Sequence, residues 1–287
     1  MTDPALSFGS VADAYDRARP TYPREAAAWL AGEEPATVLE LGAGTGKLTE
    51  VLAGLGHDVH ATDPDPAMLT RLRERLPDVL TSVASAEQIP APDGVFDVVV
   101  AAQSFHWFDH DRALPEIARV LKPGGRLALV WNRRDERIPW VRRLGALIGS
   151  QDQRHGAEPL VLSNHFGFVE DATFRHWQVV DRTSIQQLAL SRSNVAVLDE
   201  EARAAKLAEV LAFYDDFGRG MDGMQLPYVT ACFRAKVTDR PATEDAAEHP
   251  AGPAATDTSA GAEETSHTSA PVTDDGSDPD VLLIDFR

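Results

Sequence analysis

One nine-residue run, Val38-Leu39-Glu40-Leu41-Gly42-Ala43-Gly44-Thr45-Gly46, constrains what this 287-residue chain can fold into. It reads as a short apolar strand, a glycine turn and the start of a helix. Asp63 follows at the end of a second strand. Glycines let a backbone approach a ligand closely, because a Cβ would collide with it. An acid at a second strand's tip can accept hydrogen bonds from a ribose diol, as nucleotide-binding βαβ units do. An adenosine-containing ligand is therefore expected. A turn that merely needs positive φ would carry the same glycines.

Spacing separates the candidate ligand classes. A phosphate-cradling loop needs G-x-x-x-x-G-K-[ST]. Here Gly46-Lys47 is followed by Leu48, and the residue five before Gly46 is Leu41. A dinucleotide fingerprint, G-x-G-x-x-G, needs a third glycine where Lys47 stands. What remains is E-x-G-x-G-x-G, with Glu40 two residues before Gly42.

Four further stretches follow in order: Asp63-Pro64-Asp65-Pro66-Ala67-Met68, Ala84-Ser85-Ala86-Glu87-Gln88-Ile89-Pro90, Gly94-Val95-Phe96-Asp97-Val98-Val99-Val100 and Arg119-Val120-Leu121-Lys122-Pro123-Gly124-Gly125-Arg126-Leu127. Together with the glycine run they resemble the class I S-adenosylmethionine-dependent methyltransferases, over residues 37–131 in order and spacing. More loosely, residues 8–29 and 160–237 resemble the small-molecule, type 11-like branch, with Phe105-His106-Trp107-Phe108 after strand four.

Apolar periodicity agrees with that fold. Leu48, Val51, Leu52 and Leu55 form the stripe of an amphipathic helix, and Gly56 suits its end. Met68, Leu69, Leu72 and Leu76 mark a second helix, stopped by Pro77. Leu114, Ile117, Ala118 and Leu121 mark a third. Strands are expected over 37–41, 58–62, 79–84, 96–102, 126–131, 174–180 and 228–237. Helices are expected over 12–19, 24–30 and 138–148, and around 207–214. Alternating strands and helices build a doubly wound α/β sheet, mostly parallel, with helices on both faces. The resemblance implies seven strands, the last two forming an antiparallel edge.

Composition bounds the rest. Residues 238–287 hold twelve acids against two arginines, a formal −10 of the chain's −18, which leaves −8 for the remainder. That stretch is rich in Pro, Ala, Thr, Ser and Gly and is expected to be a disordered acidic tail. The expected division is an N-terminal helical cap over 1–30, a methyltransferase domain over 31–237 and the tail. The acidic balance argues against a nucleic-acid partner. A single cysteine, Cys232, excludes an intrachain disulfide. No apolar stretch approaches the roughly 20 residues of a membrane helix. Met1–Ser7 has no basic or apolar run of a leader. A cytoplasmic protein acting on a small molecule, away from membranes, is the expectation; its protein partners are not legible.

The resemblance implies a cofactor, S-adenosyl-L-methionine, and roles for particular residues. Gly42, Gly44 and Gly46 would lie against its amino-acid part, with Glu40 on the ammonium group. Asp63 would take the ribose hydroxyls. Pro64 and Met68 would flank the adenine, and Ala86 and Glu87 would lie beside it. Ser85 stands where many family members have aspartate, so the contact to the adenine amine is the doubtful one. Gln103 would face the methionine moiety. Tyr15 and Arg19 would close over the cofactor. His106 is the candidate to orient the acceptor or accept its proton, since imidazole titrates near neutrality. His106, His110, Asp109 and Asp111 could suggest a metal, but a helix cap explains the aspartates better, and no metal is expected. Trp107, Phe108, Trp131 and Trp140 could line an acceptor pocket, and Arg133, Arg134, Arg142 and Arg143 could receive an anion. Ordinary core packing and a solvated face are the plainer readings. Two other functions fit the same sheet: a non-catalytic cofactor-binding protein, and less readily an NAD-dependent oxidoreductase.

Overall fold

Val38–Leu41 and Val98–Ala101 are the strand segments on which the sheet is built. The structure, a computed structural model, describes residues 19–150, 156–217 and 223–238. The first half alternates helices and strands: α1 (Arg24–Ala31), β1 (Thr37–Leu41), α2 (Lys47–Gly54), β2 (Asp58–Asp63), α3 (Pro66–Arg75), β3 (Leu80–Val83), β4 (Phe96–Ala102), α4 (His110–Val120) and β5 (Leu121–Arg134). The second half holds α5 (Pro139–Ile148), α6 (Glu158–Leu162), β6 (Glu170–Val180), α7 (Arg182–Leu190), α8 (Ser193–Ala196), α9 (Glu200–Phe217) and β7 (Met224–Lys236).

The seven strands form one sheet in the order β3-β2-β1-β4-β5-β7-β6. Strands β1 to β5 pair in parallel, and β7 runs antiparallel to both β5 and β6. Only β7 is therefore reversed, and β6 points the same way as the first five. The strand order changes direction between β1 and β4. Ligands of open α/β sheets bind beyond the carboxyl ends of the strands at such a switch point. The register brings Leu41 level with Thr62 and Ala101, so the residues after β1, β2 and β4 share that end.

Side-chain alternation divides the core in two. Leu39, Leu41, Val99, Ala101, Leu127 and Leu129 face Leu114 and Ile117 of α4. Val38, Val98, Val100, Ala128 and Val130 face Ala26, Ala27 and Leu30 of α1 and Leu48 and Leu52 of α2. A third cluster joins Val141, Leu144 and Ile148 of α5 to Ile185 of α7, Val210 and Phe213 of α9, and Leu226 and Tyr228 of β7.

Several expected boundaries shift. Leu121 belongs to β5 rather than to the preceding helix, and it pairs with Phe96. β6 begins at Glu170, four residues before Phe174. Helix α7 lies where no helix was expected, although Asp181 and Ser184 form a capping box at its start. The helix expected over 12–19 and the acidic tail lie outside the described residues. No helix among the described residues is long and apolar enough to cross a membrane.

Candidate cofactor and active site

The turn after β1 uses its three glycines for different reasons. All have positive φ: Gly42 at 67°, Gly44 at 57° and Gly46 at 84°. A Cβ on Gly42 would lie 2.6 Å from the Ser104 Cβ, and one on Gly46 would lie 2.8 Å from Leu72 Cγ. Those two glycines let β4 and α3 close against the turn. A Cβ on Gly44 would meet nothing within 4 Å. Of the three, Gly44 alone borders open space, so the expected cradle narrows to that position.

Two acids flank it. Glu40 is 1 % exposed and accepts a 2.6 Å hydrogen bond from Thr49 Oγ1. Burial pushes its carboxyl up to about 8; the Thr49 bond opposes the shift and Asp63 adds to it. Asp63 accepts from the Gly44 N–H at 2.8 Å on one oxygen and from the Asp65 N–H at 2.8 Å on the other. Burial holds its carboxyl above the usual range despite both donors. The Gly44 bond ties the tip of β2 to the open point of the turn. Asp65 caps α3 with one oxygen through the Ala67 N–H. Its other oxygen is buried with no hydrogen-bond partner among the described residues. Pro64 is exposed beside them and Met68 is buried.

The third wall follows β4. Gln103 is the only described non-glycine residue with positive φ, 59°. A bulky residue rarely occupies that region unless its surroundings hold it there, and such residues cluster at functional sites. Its backbone N–H donates to Val130 O at 3.0 Å and its Nε2 to Asn132 O at 2.8 Å. Ser104 donates to Leu41 O at 2.7 Å and locks β4 to β1. Ala86 is buried. The Glu87 carboxylate is committed elsewhere: it accepts the Asp109 N–H at 2.9 Å at the start of α4. Burial would raise its carboxyl, but that bond and one from Ser85 outweigh burial and hold it below the ordinary value. Asp109 occupies the N-cap position without capping through its side chain; Glu87 supplies the cap. Ser85 thus serves Glu87.

His106 is exposed on a single turn, Phe105–Trp107, whose Phe105 is buried, and its ring lies 4.8 Å from Trp107. His110 is bound to Phe105 O at 2.9 Å. No group of three or more His, Cys, Asp or Glu among the described residues is placed to hold a metal. Arg19 is described and half-buried; Tyr15 lies outside the described residues.

Sequence reasoning missed a polar chain on the sheet face that also carries Arg134 and Tyr228. Buried Asn132 donates through Nδ2 to Thr21 O at 3.0 Å and accepts from Thr230 Oγ1 at 2.6 Å. The Thr230 hydroxyl lies 3.2 Å from His176 Nδ1. A hydroxyl has one proton. With it given to Asn132, His176 must donate from Nδ1, which leaves Nε2 as a bare acceptor, buried without a partner among the described residues. Burial also lowers the imidazole's pKa and keeps it neutral. Lone polar residues on separate strands carry no periodic signal, so only the register reveals them.

The arginines and aromatics divide. Arg134 is buried, donates to Gly149 O at 2.6 Å and pairs with Glu136 at 3.3 Å, so it braces the end of α5. Arg142 binds the Glu136 carbonyl, and Arg143 lies 5.2 Å over the Phe217 ring; both are exposed. Arg133 is half-buried. Trp131 packs edge-on to Phe233, and Trp140 stacks on Phe217. The two rings pack as the plainer reading held and Arg142 and Arg143 lie on an exposed face, but Arg134 is buried, where a solvated face was the plainer expectation.

Comparison with known proteins gives the family. The type 11 family model, described as a methyltransferase domain, matches residues 39–129. A relative described as an uncharacterised methyltransferase of Mycobacterium tuberculosis is 44% identical over 236 residues, 81% of this chain and 96% of its own length. The chain belongs to the methyltransferase family. A ubiquinone/menaquinone biosynthesis C-methyltransferase of Bordetella parapertussis is 42% identical to this methyltransferase over 101 residues, 32% of this chain and 39% of its own. A solved structure assigned as a type II methyltransferase from Anaeromyxobacter dehalogenans shares 28% identity with a TM-score of 0.59, covering 76% of this chain and 97% of that one. The methyltransferase thus carries the family's fold with an open cradle at Gly44, two buried carboxyls beside it and an unfilled acceptor on Asp65.

Proposed function

We propose that this methyltransferase takes S-adenosylmethionine as its cofactor and methylates a small-molecule acceptor by in-line displacement. The observation that carries the reading is the open space at Gly44, whose N–H binds Asp63, together with the carboxyls of Glu40 and Asp63, both held above their ordinary range by burial. A cationic ligand rich in hydroxyl donors offsets that cost, because nearby positive charge favours the charged form of a buried acid. The adenosyl sulfonium has an ammonium group, a sulfonium and a ribose diol, and it supplies the activated methyl group.

The chain's own residues then divide the work. Glu40 receives the ammonium group. Asp63 keeps lone pairs for the ribose hydroxyls beyond the two backbone donors it already holds, and Asp65 offers a further acceptor. Gln103, fixed by Asn132, bounds the methionine end. Asn132 also holds the carbonyl of Thr21, next to Arg19 in the segment expected to cover the cofactor. The reaction breaks the sulfur–methyl bond, with the electron pair returning to sulfur, and forms a bond from the acceptor atom to carbon. If that atom carries a proton, His106 is the candidate to receive it. Positioning of this kind is worth roughly 7–11 kcal/mol at best. A small acceptor suits the acidic balance, since a polyanion would be repelled.

Calorimetric titration with S-adenosylhomocysteine tests the site. The wild type is expected to bind, and Asp63→Ala to bind at least ~10-fold more weakly, since a hydrogen bond to a charged group is worth about 1.5–3 kcal/mol. Equal affinity in the two proteins would remove Asp63 from the site. Transfer of labelled methyl from S-adenosylmethionine into a small-molecule fraction, rather than into protein or nucleic acid, tests the acceptor class.

A further inference from the structure

We propose that the β6 edge of the sheet is a self-association surface, on which a second copy of this chain pairs antiparallel with β6 about a two-fold axis. β6 is eleven residues long and, among the described residues, pairs only with β7. One of its faces carries Asp171, Thr173, Arg175, Trp177 and Val179, all exposed. Trp177 is 62 % and Val179 59 % exposed, and Phe168, just before the strand, is 87 % exposed. An edge this long with exposed apolar side chains is a template for strand addition.

The pattern of charge selects the occupant. With the two-fold at Thr173, Asp171 stands opposite the partner's Arg175 and Arg175 opposite the partner's Asp171. Centring the axis on Asp171 or on Arg175 would place like charges face to face, which opposes pairing. Centring it on Ala172 or Phe174 would keep the exposed faces together but set Asp171 and Arg175 opposite uncharged residues, without that charge pairing. Charged residues on an edge often serve to keep strands apart. Here the one acid and the one base on this face attract in the register centred on Thr173. Asp171 and Arg175 make no side-chain hydrogen bond or ion pair within 4.0 Å among the described residues. The field of Arg175 reaches Asp135, but Arg137 already grips that carboxylate through both oxygens at 2.7 Å. Such an axis reverses strand direction between copies, so the two cofactor ends point opposite ways and stay open.

Sedimentation velocity on the full chain, from about 1 to 100 µM, reads the association directly. The wild type is expected to dimerise. Asp171→Arg and Arg175→Asp each create two like-charge pairs and should weaken the dimer at least ~10-fold. The double variant Asp171→Arg with Arg175→Asp should restore it. Titration with S-adenosylhomocysteine, unchanged in all four proteins, confirms that each is folded. A wild type that stays monomeric at the highest concentration overturns the proposal. So does a dimer that ignores the single reversals, or a double variant that binds the ligand normally yet remains monomeric.

Discussion

Glu40 is the residue on which the energetics of the site turn. Its side chain keeps a proton in the fold up to about pH 8, against 4.5 in an exposed chain. A pKa raised by folding contributes stability that is complete below the unfolded value and is lost as pH rises through the folded one. Glu40→Gln should therefore raise the melting midpoint of the ligand-free protein relative to wild type. The advantage should grow by at least ~3 °C between pH 5 and 8.5, read by differential scanning fluorimetry. The same substitution should abolish the proton released when the cofactor's ammonium group pairs with the carboxylate, seen as a buffer-dependent binding enthalpy near pH 7. Its neighbours in the turn give a sharper contrast. Gly44→Ala meets open space and costs only the left-handed backbone, about 1–2 kcal/mol, yet it should weaken cofactor binding. Gly46→Ala drives a methyl into Leu72 and should cost clearly more stability in urea unfolding. The motif told that three glycines matter, but not that two of them serve packing, because a sequence does not say what stands opposite a missing Cβ.

At the scale of elements, the short parallel strands were legible and the edges were not. β1 and β4 fall within the expected bounds because each is an apolar run covered on both faces, where burial leaves little choice. β6 was underestimated because its first four residues, Glu170-Asp171-Ala172-Thr173, carry two acids and no large apolar side chain. Helix α7 was missed although Asp181 and Ser184 mark its start, since its apolar stripe is weak. The end of β4 carries a conformation that no propensity predicts. Gln103 sits at φ 59°, where a β-branched side chain is costly and glycine is not. Gln103→Val should therefore be less stable than Gln103→Gly by about 2 kcal/mol in denaturant unfolding, although valine is the better strand former. Glu87 was expected beside the adenine through its backbone amide and shape; its carboxylate accepts the Asp109 N–H at the start of α4, which leaves that backbone role open.

At the scale of the whole molecule, one polar chain, buried at Asn132 and Thr230, links three strands to the N-terminal segment: Thr21, Asn132, Thr230 and His176. Asn132→Leu keeps the volume but removes the donor to the Thr21 carbonyl, while the Thr230 hydroxyl keeps His176 Nδ1 within 3.2 Å. A lost hydrogen bond of this kind is worth about 0.5–1.5 kcal/mol. Hydrogen exchange over residues 20–26 should quicken, while exchange in β1 and β4 stays slow. An unchanged rate there would show that Asn132 does not hold the segment. The amino-acid sequence by itself determined the alternation of strands and helices and the family, and it singled out Glu40, Gly44 and Asp63 as the residues expected on the cofactor side. Those features are local: apolar period, turn chemistry and short spacings are set by neighbours in the chain. Only the tertiary structure decided that Gly42 and Gly46 are packing glycines, that Arg134 is a buried brace and that His176 presents a bare nitrogen. Each of those depends on which distant strand lies alongside, and that is set by sheet register rather than by the residues in a row.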